Sequence, residues 1–127
     1  MTGSRRQHRG QMAYQAGLAA EYRIAQDYER RGFCVAQRRW RGRSGEIDLI
    51  VRAGTGLVFV EVKQSRDFAR AAESLNARQM KRIYTCAGEF LDHEPNGSLT
   101  EVRFDVALID GSGGMQIIEN AFGHGAI

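Results

Sequence analysis

Two runs in the middle of the chain alternate aliphatic and charged side chains with a period of two. Glu46-Ile47-Asp48-Leu49-Ile50-Val51 and Val58-Phe59-Val60-Glu61-Val62-Lys63 flank Ala53-Gly54-Thr55-Gly56. The pattern predicts a β-hairpin with strands at about Glu46–Arg52 and Leu57–Lys63. With Gly54 and Thr55 as the central turn residues, Ala53 faces Gly56 and paired positions sum to 109. Ile47 then pairs with Val62, Leu49 with Val60 and Val51 with Val58, which makes one face wholly aliphatic. The other face carries Glu46, Asp48, Glu61 and Lys63, with Asp48 opposite Glu61 and Glu46 opposite Lys63. A slip of one residue would set charges among the aliphatic set and destroy that sorting.

Periodicity of 3.6 predicts a helix over about Met12–Arg31, capped by Gly32. Its less polar stripe runs through Gly17, Leu18, Ile24, Ala25 and Tyr28, and Glu21 lies on that stripe. A short strand at Phe33–Ala36 and an Arg/Gly-rich loop lead into the hairpin. Residues 64–75 read as a polar connection. A second helix is expected from Asn76 to about Asp92, with Gln79 in a capping-box position. Strands follow at Val102–Ile109 and about Met115–Glu119. The strand-helix-strand unit from Leu57–Lys63 to Val102–Ile109 predicts parallel pairing. The fold class is therefore α/β, a mixed β-sheet flanked by helices in α-β-β-β-α-β-β order. Residues 1–11 read as a flexible basic tail and 12–127 as a single domain.

Charge adds an asymmetry. Residues 1–45 hold ten arginines against Glu21, Asp27 and Glu29, a net of +7, whereas residues 46–127 hold eight cations against twelve acids, a net of −4. A basic end beside an acidic cluster suits a protein that grips phosphates. Arg38, Arg39, Arg41 and Arg43 surround Trp40, which reads equally as a core anchor. Cys34 and Cys86 have no metal-ligand spacing and read as reduced, buried thiols of a cytoplasmic protein. No run is long enough to span a membrane. His8, His93 and His124 form no cluster. Arg103 and Asp105 alternate with apolar residues on a strand and read as a structural ion pair.

Cross-strand partners have Cβ atoms roughly 4.5–5.5 Å apart, and like charges that close call for a cation or a shared proton. Asp48 and Glu61, with the Val62 backbone carbonyl between Glu61 and Lys63, offer oxygen ligands suited to Mg²⁺ or Mn²⁺. A metal-bound water is a nucleophile near neutral pH, and Lys63 would orient it or stabilise developing charge. The competing reading is a solvent-facing strand with ordinary salt bridges among Glu46, Asp48, Glu61 and Lys63. Glu21, read by itself, is a helix glutamate paired with an arginine.

These residues resemble the YraN family of bacterial proteins, placed in the restriction-endonuclease-like group with its PD-(D/E)xK site. Gly17-x-x-x-Glu21-x-x-x-Ala25 with Gly32, Gly45-Glu46-Ile47-Asp48-Leu49-Ile50, Val58-Phe59-Val60-Glu61-Val62-Lys63, Arg103-Phe104-Asp105-Val106 and Asn120-Ala121-Phe122 carry the resemblance. It implies a restriction-endonuclease-like core, Asp48 and Glu61 as metal ligands, Lys63 as the catalytic lysine and Glu21 as the first-helix acid. Ser65 stands where the family usually has Arg, and Gln79 where it often has Lys, with Lys81 close by.

The expectation is a Mg²⁺- or Mn²⁺-dependent nuclease-like protein acting on DNA or RNA. Arg38, Arg39, Arg41, Arg43, Gln79 and Lys81 would contact the nucleic acid. Resolvases of this fold act on symmetric junctions, which admits a homodimer. The rival is a non-catalytic nucleic-acid-binding or scaffold protein that retains the acidic site as a relic.

Overall fold

The structure, a computed structural model, describes residues 5–122. Helix α1 (Arg5–Arg30) precedes strands β1 (Cys34–Arg41), β2 (Glu46–Ala53) and β3 (Gly56–Gln64). Helices α2 (Phe68–Glu73) and α3 (Ala77–Leu91) and a 3₁₀ turn (Gly97–Leu99) lead to β4 (Val102–Ile109) and β5 (Met115–Phe122). The five strands form one sheet in the order β1-β2-β3-β4-β5. Every pairing is antiparallel except β3 with β4, which is parallel across the α2–α3 crossover, as the strand-helix-strand pattern requires.

Both faces of the sheet are buried. On one, Ala20, Ile24, Ala25 and Tyr28 of α1 cluster with Leu49, Val51, Val58, Val60, Ala107 and Ile109. On the other, Ile83, Cys86, Ala87 and Phe90 of α3 cluster with Ile47, Ile50, Leu57, Phe59, Phe104, Val106 and Leu108. Each large aliphatic or aromatic side chain so buried contributes about 1.5–3 kcal/mol. Trp40 meets Phe90 edge-on at 5.2 Å, which settles it as a core anchor.

Helix α1 begins at Arg5, upstream of the expected Met12, so the tail assigned to residues 1–11 is helical from Arg5 onward and its first four residues lie outside the described ones. Its C-terminus closes as expected. Phe33 N–H donates to the Tyr28 carbonyl and Gly32 N–H to that of Glu29, both at 3.0 Å, with Gly32 at φ 97°. That paired bonding needs a left-handed residue, which glycine supplies without steric cost. Leu18, placed on the buried stripe by periodicity, is instead exposed, and Ala20 takes its place inside.

Strand β1 is longer than the expected Phe33–Ala36. The basic stretch from Arg38 to Arg41 is therefore strand rather than loop, and only residues 42–45 connect β1 to β2. Cys34 at its start is exposed, contrary to the buried-thiol reading, whereas Cys86 is buried.

The hairpin register is as the charge sorting demanded from Leu49↔Val60 through Val51↔Val58 to Ala53↔Gly56. Beyond Leu49 the ladder stops. Leu49 packs on the α1 side, yet Ile47, two residues earlier, packs on the α3 side. The alternation of β1 breaks at the matching position: Arg38 pairs with Leu49, Trp40 pairs with Ile47, and Arg39 between them has φ 49°. The expected Ile47–Val62 pair is not made. The Val62 N–H donates instead to Asp48 Oδ2 at 2.8 Å, so a side chain takes the place of the backbone ladder.

Two further differences concern the crossover. Residues 64–75 contain α2, capped by Asp67, whose side chain accepts from Arg70 N–H, with Ala71 buried beneath it. Helix α3 is capped by Asn76 as expected, its side chain accepting from Gln79 N–H at 2.9 Å. The reciprocal arm of the capping box is absent, because the Gln79 side chain is engaged elsewhere. Strand β4 has the expected bounds, and β5 continues to Phe122.

Candidate active site

Asp48 sits where β2 and β3 diverge, and Glu61 and Lys63 project from β3. Asp48 is held by the Val62 N–H, and its carboxyl also hydrogen-bonds that of Glu61. Glu61 is only 8 % exposed. Burial pushes its carboxyl up to about 8, and the charge of Asp48 and their shared hydrogen bond push the same way, against a smaller pull from Lys63. Two carboxyls in contact in a dry setting cannot both ionise freely, so one keeps its proton or a cation replaces it. Lys63 Nζ lies 3.3 Å from Glu61 Oε2. In the amide orientation that satisfies both its ends, Gln79 donates to the Ser74 carbonyl at 2.7 Å and accepts from Lys63 Nζ at 3.2 Å. Gln79 thus holds Lys63.

Glu21 lies across the sheet edge on α1. Arg39 clamps it with two hydrogen bonds, Nε to Oε1 at 2.8 Å and Nη2 to Oε2 at 3.1 Å. Burial raises the Glu21 carboxyl above its ordinary range and the charge of Asp48 adds to this, while Arg39 opposes both. Glu21 therefore senses Asp48 electrostatically. No group of three or more His, Cys, Asp or Glu side chains gathers as a metal site among the described residues. The acidic groups brought together there are the pair Asp48 and Glu61. Arg39, expected to contact nucleic acid, is committed to Glu21 and lies 3.9 Å from Glu46. Glu46, expected opposite Lys63, turns to β1 and meets Arg41 at 3.4 Å.

Asp48 borders two clefts, where the β2–β3 ladder ends. The cleft on the α3 side, about 480 Å³, joins Asp48 and Glu61 to Arg41, Arg43, Arg82 and Glu46. The cleft on the α1 side, about 490 Å³, joins Asp48 to Glu21, Tyr22, Leu18, Arg38 and Arg39. The loop 42–45 is fixed by Glu89 of α3, whose carboxylate accepts the N–H groups of Arg43 at 2.6 Å and Ser44 at 3.1 Å. A Cβ on Gly42 would lie 2.7 Å from that carboxylate and 2.8 Å from the Trp40 ring, so only glycine fits there.

Of the expected basic contacts, Arg41 and Arg43 stand at the cleft with exposed side chains, Arg38 is exposed on the α1 side, and Lys81 is exposed on α3. His93 is exposed just beyond α3, while His124 and the His8 side chain lie outside the described residues. Arg103 and Asp105 form the expected ion pair at 2.8 Å, with Asp105 fully buried. Arg82 and Glu89 had not been singled out. The signal for Arg82 was available, since it lies three residues after Gln79 and so shares its side of α3. Among the described residues no helix is long and apolar enough to cross a membrane.

Residues 20–109 match the sequence model of a family described as "Uncharacterised protein family UPF0102". A UPF0102 protein of Ruegeria pomeroyi is 66% identical over 117 residues, covering 92% of this chain and 95% of the relative. One from Cereibacter sphaeroides is 57% identical over 113 residues, covering 89% and 97%. One from Roseobacter denitrificans is 49% identical over 120 residues, covering 94% and 93%. The matched segment contains Glu21, Asp48, Glu61, Lys63 and Gln79.

Proposed function

Since the chain belongs to the UPF0102 family, the YraN-like family its motifs resemble, we propose for it the chemistry its acidic pair supports best, metal-assisted hydrolysis of a phosphodiester in nucleic acid. The observation that carries this reading is the contact between the Asp48 and Glu61 carboxyls, with Lys63 at 3.3 Å. A carboxyl held near 8 is mostly protonated at neutral pH, and a divalent cation binding there would displace that proton. The residues fit such an ion. Two carboxylates and the Val62 carbonyl offer hard oxygen donors, and Mg²⁺ or Mn²⁺ is commonly held by so few protein ligands. When bound there, the ion supplies Lewis-acid charge and an acidified water.

The chain's own groups do the rest. The Lys63 ammonium, held by Gln79 and Glu61, donates to the attacking water or to a non-bridging phosphate oxygen. Arg41, Arg43 and Arg82 line the cleft and hold the phosphate backbone without reading bases. Water adds to phosphorus, the bond from phosphorus to the leaving sugar oxygen breaks, and a phosphate monoester and an alcohol result. The mixed sheet, with Asp48 and Glu61 on adjacent central strands, is compatible with a restriction-endonuclease-like core.

The test offers linear, single-stranded, flapped and four-way-junction DNA, and RNA, with Mg²⁺ or Mn²⁺, to the parent protein and to Glu61→Ala and Lys63→Ala. Cutting by the parent that both substitutions abolish supports the reading. Equal cutting by all three excludes it. Salt-sensitive binding without cutting would leave a binding module that keeps the site as a relic.

A further inference from the structure

On α1, Tyr14, Leu18 and Tyr22 follow one another at intervals of four and so share a face. All three are exposed, by 58%, 38% and 56%. A helix rises about 1.5 Å per residue, which separates the two rings by roughly 12 Å along its axis. Each ring has a guanidinium over one face, Arg39 at 5.2 Å from the Tyr14 centroid and Arg38 at 5.8 Å from that of Tyr22, which leaves the opposite face for a base. Leu18, Tyr22 and Arg38 line the α1-side cleft together with Asp48.

We propose that this face is a stacking platform for unpaired nucleobases, with Tyr14 and Tyr22 as the rings and Arg38 as the partner of the strand's phosphates. The inference deepens the nuclease reading and rests on it for the direction of the strand, which would run over α1 toward Asp48. The chemistry suits a single strand. Every base has a flat π-face that stacks on tyrosine whatever its sequence, and a duplex keeps those faces covered. Charge agrees. Glu21, the one acid lining that cleft apart from Asp48, is neutralised by the Arg39 clamp, which leaves Arg38 exposed to meet an anion. A second copy of the chain fits less well. A two-fold contact on this face would set its arginines against their like, and a stable pair engages on the order of 20–30 residues a side.

The test is binding without metal, in EDTA, so that it stands apart from cutting. Fluorescence anisotropy compares a labelled mixed-sequence single strand, the same strand in duplex, and an abasic strand of equal length that offers phosphates alone. The single strand is expected to bind at least tenfold tighter than the abasic one. Tyr22→Ala and Tyr14→Ala should each weaken single-strand binding by roughly five- to hundredfold, the range for loss of one base–aromatic stack, and Tyr22→Phe should retain it. The abasic strand should not respond to either alanine. Equal affinity for the single and abasic strands, or no effect of the alanines, overturns the proposal. So does a dimer in sedimentation that Tyr22→Ala dissociates while strand binding stays unchanged. If the parent binds the strand as expected but cuts nothing with Mg²⁺, the hydrolytic reading fails and the platform stands.

Discussion

Asp48 Oδ2 accepts the backbone N–H of Val62 at 2.8 Å, and this one bond ends the hairpin ladder where the candidate site begins. The bond fixes the Asp48 carboxylate against β3, within reach of Glu61. Asp48→Asn removes the charge that helps hold the Glu61 proton. The Glu61 carboxyl should then titrate below about 8, toward the ordinary carboxylate range. Carbon-detected NMR of the Glu61 side chain in metal-free protein would show the shift. An unmoved titration would mean that burial alone sets it.

Stability should follow the same carboxyl. The folded-state value of Glu61 lies above the 4.5 of a free glutamate, at about 8, so across that window the folded protein binds more protons than the unfolded one. Its contribution is fully present below about 4.5 and is lost as pH rises through about 8. Urea unfolding in EDTA should show stability from this group falling between pH 5 and pH 8, and Glu61→Gln should flatten that part of the profile.

Asp105 is fully buried and accepts from the Tyr28 hydroxyl at 2.6 Å, from Arg103 Nε at 2.8 Å and from Asn120 N–H at 2.9 Å. Asp105→Ala strands those donors and leaves Arg103 only its longer ion pair with Glu119 at 3.7 Å. It should cost about 3–5 kcal/mol in urea unfolding, and a loss below about 1 kcal/mol would contradict the network's role.

Glu89 ties the loop 42–45 to α3 through the N–H groups of Arg43 and Ser44. Its carboxyl is pulled below the ordinary range, first by a hydrogen bond from the Ser44 side chain and then by those backbone bonds. Glu89→Ala should free the loop, with faster hydrogen exchange at Arg43 and Ser44 and little change at Val60. Unchanged exchange at both amides would show that the loop is held by other means.

What the sequence disclosed followed from periodicity and short-range chemistry. The alternation of Glu46, Asp48, Glu61 and Lys63 with aliphatic residues has one register that separates charge, so the pairing from Leu49↔Val60 to Ala53↔Gly56 was legible. Asn76 and Gly32 act within one turn of their helices, so those ends were legible too. The hidden parts depend on groups distant in sequence. Helix α2 has six residues and Ala71 as its one buried position, too few for a period to show. Nothing local to Arg39 indicates that Glu21, 18 residues away, will claim it. Nor could the side-chain pattern show that Asp48 would displace a ladder bond and send Ile47 to the opposite face. For the site, the nearness of Asp48, Glu61 and Lys63 was legible, although Asp48 and Glu61 are not the ladder partners the register made them, whereas the engagement of Gln79 with Lys63 required the packing of α3 against β3.

The claim at the centre of this account is that Asp48 and Glu61 exchange a shared proton for a divalent cation. Isothermal titration of Mn²⁺ into the metal-free protein at pH 7, repeated in buffers of different ionisation enthalpy, measures both events together. One site whose heat varies with the buffer, showing release of a proton, and which disappears in Glu61→Gln and Asp48→Asn, is the predicted result. Absence of binding, or binding that survives both substitutions, would contradict it.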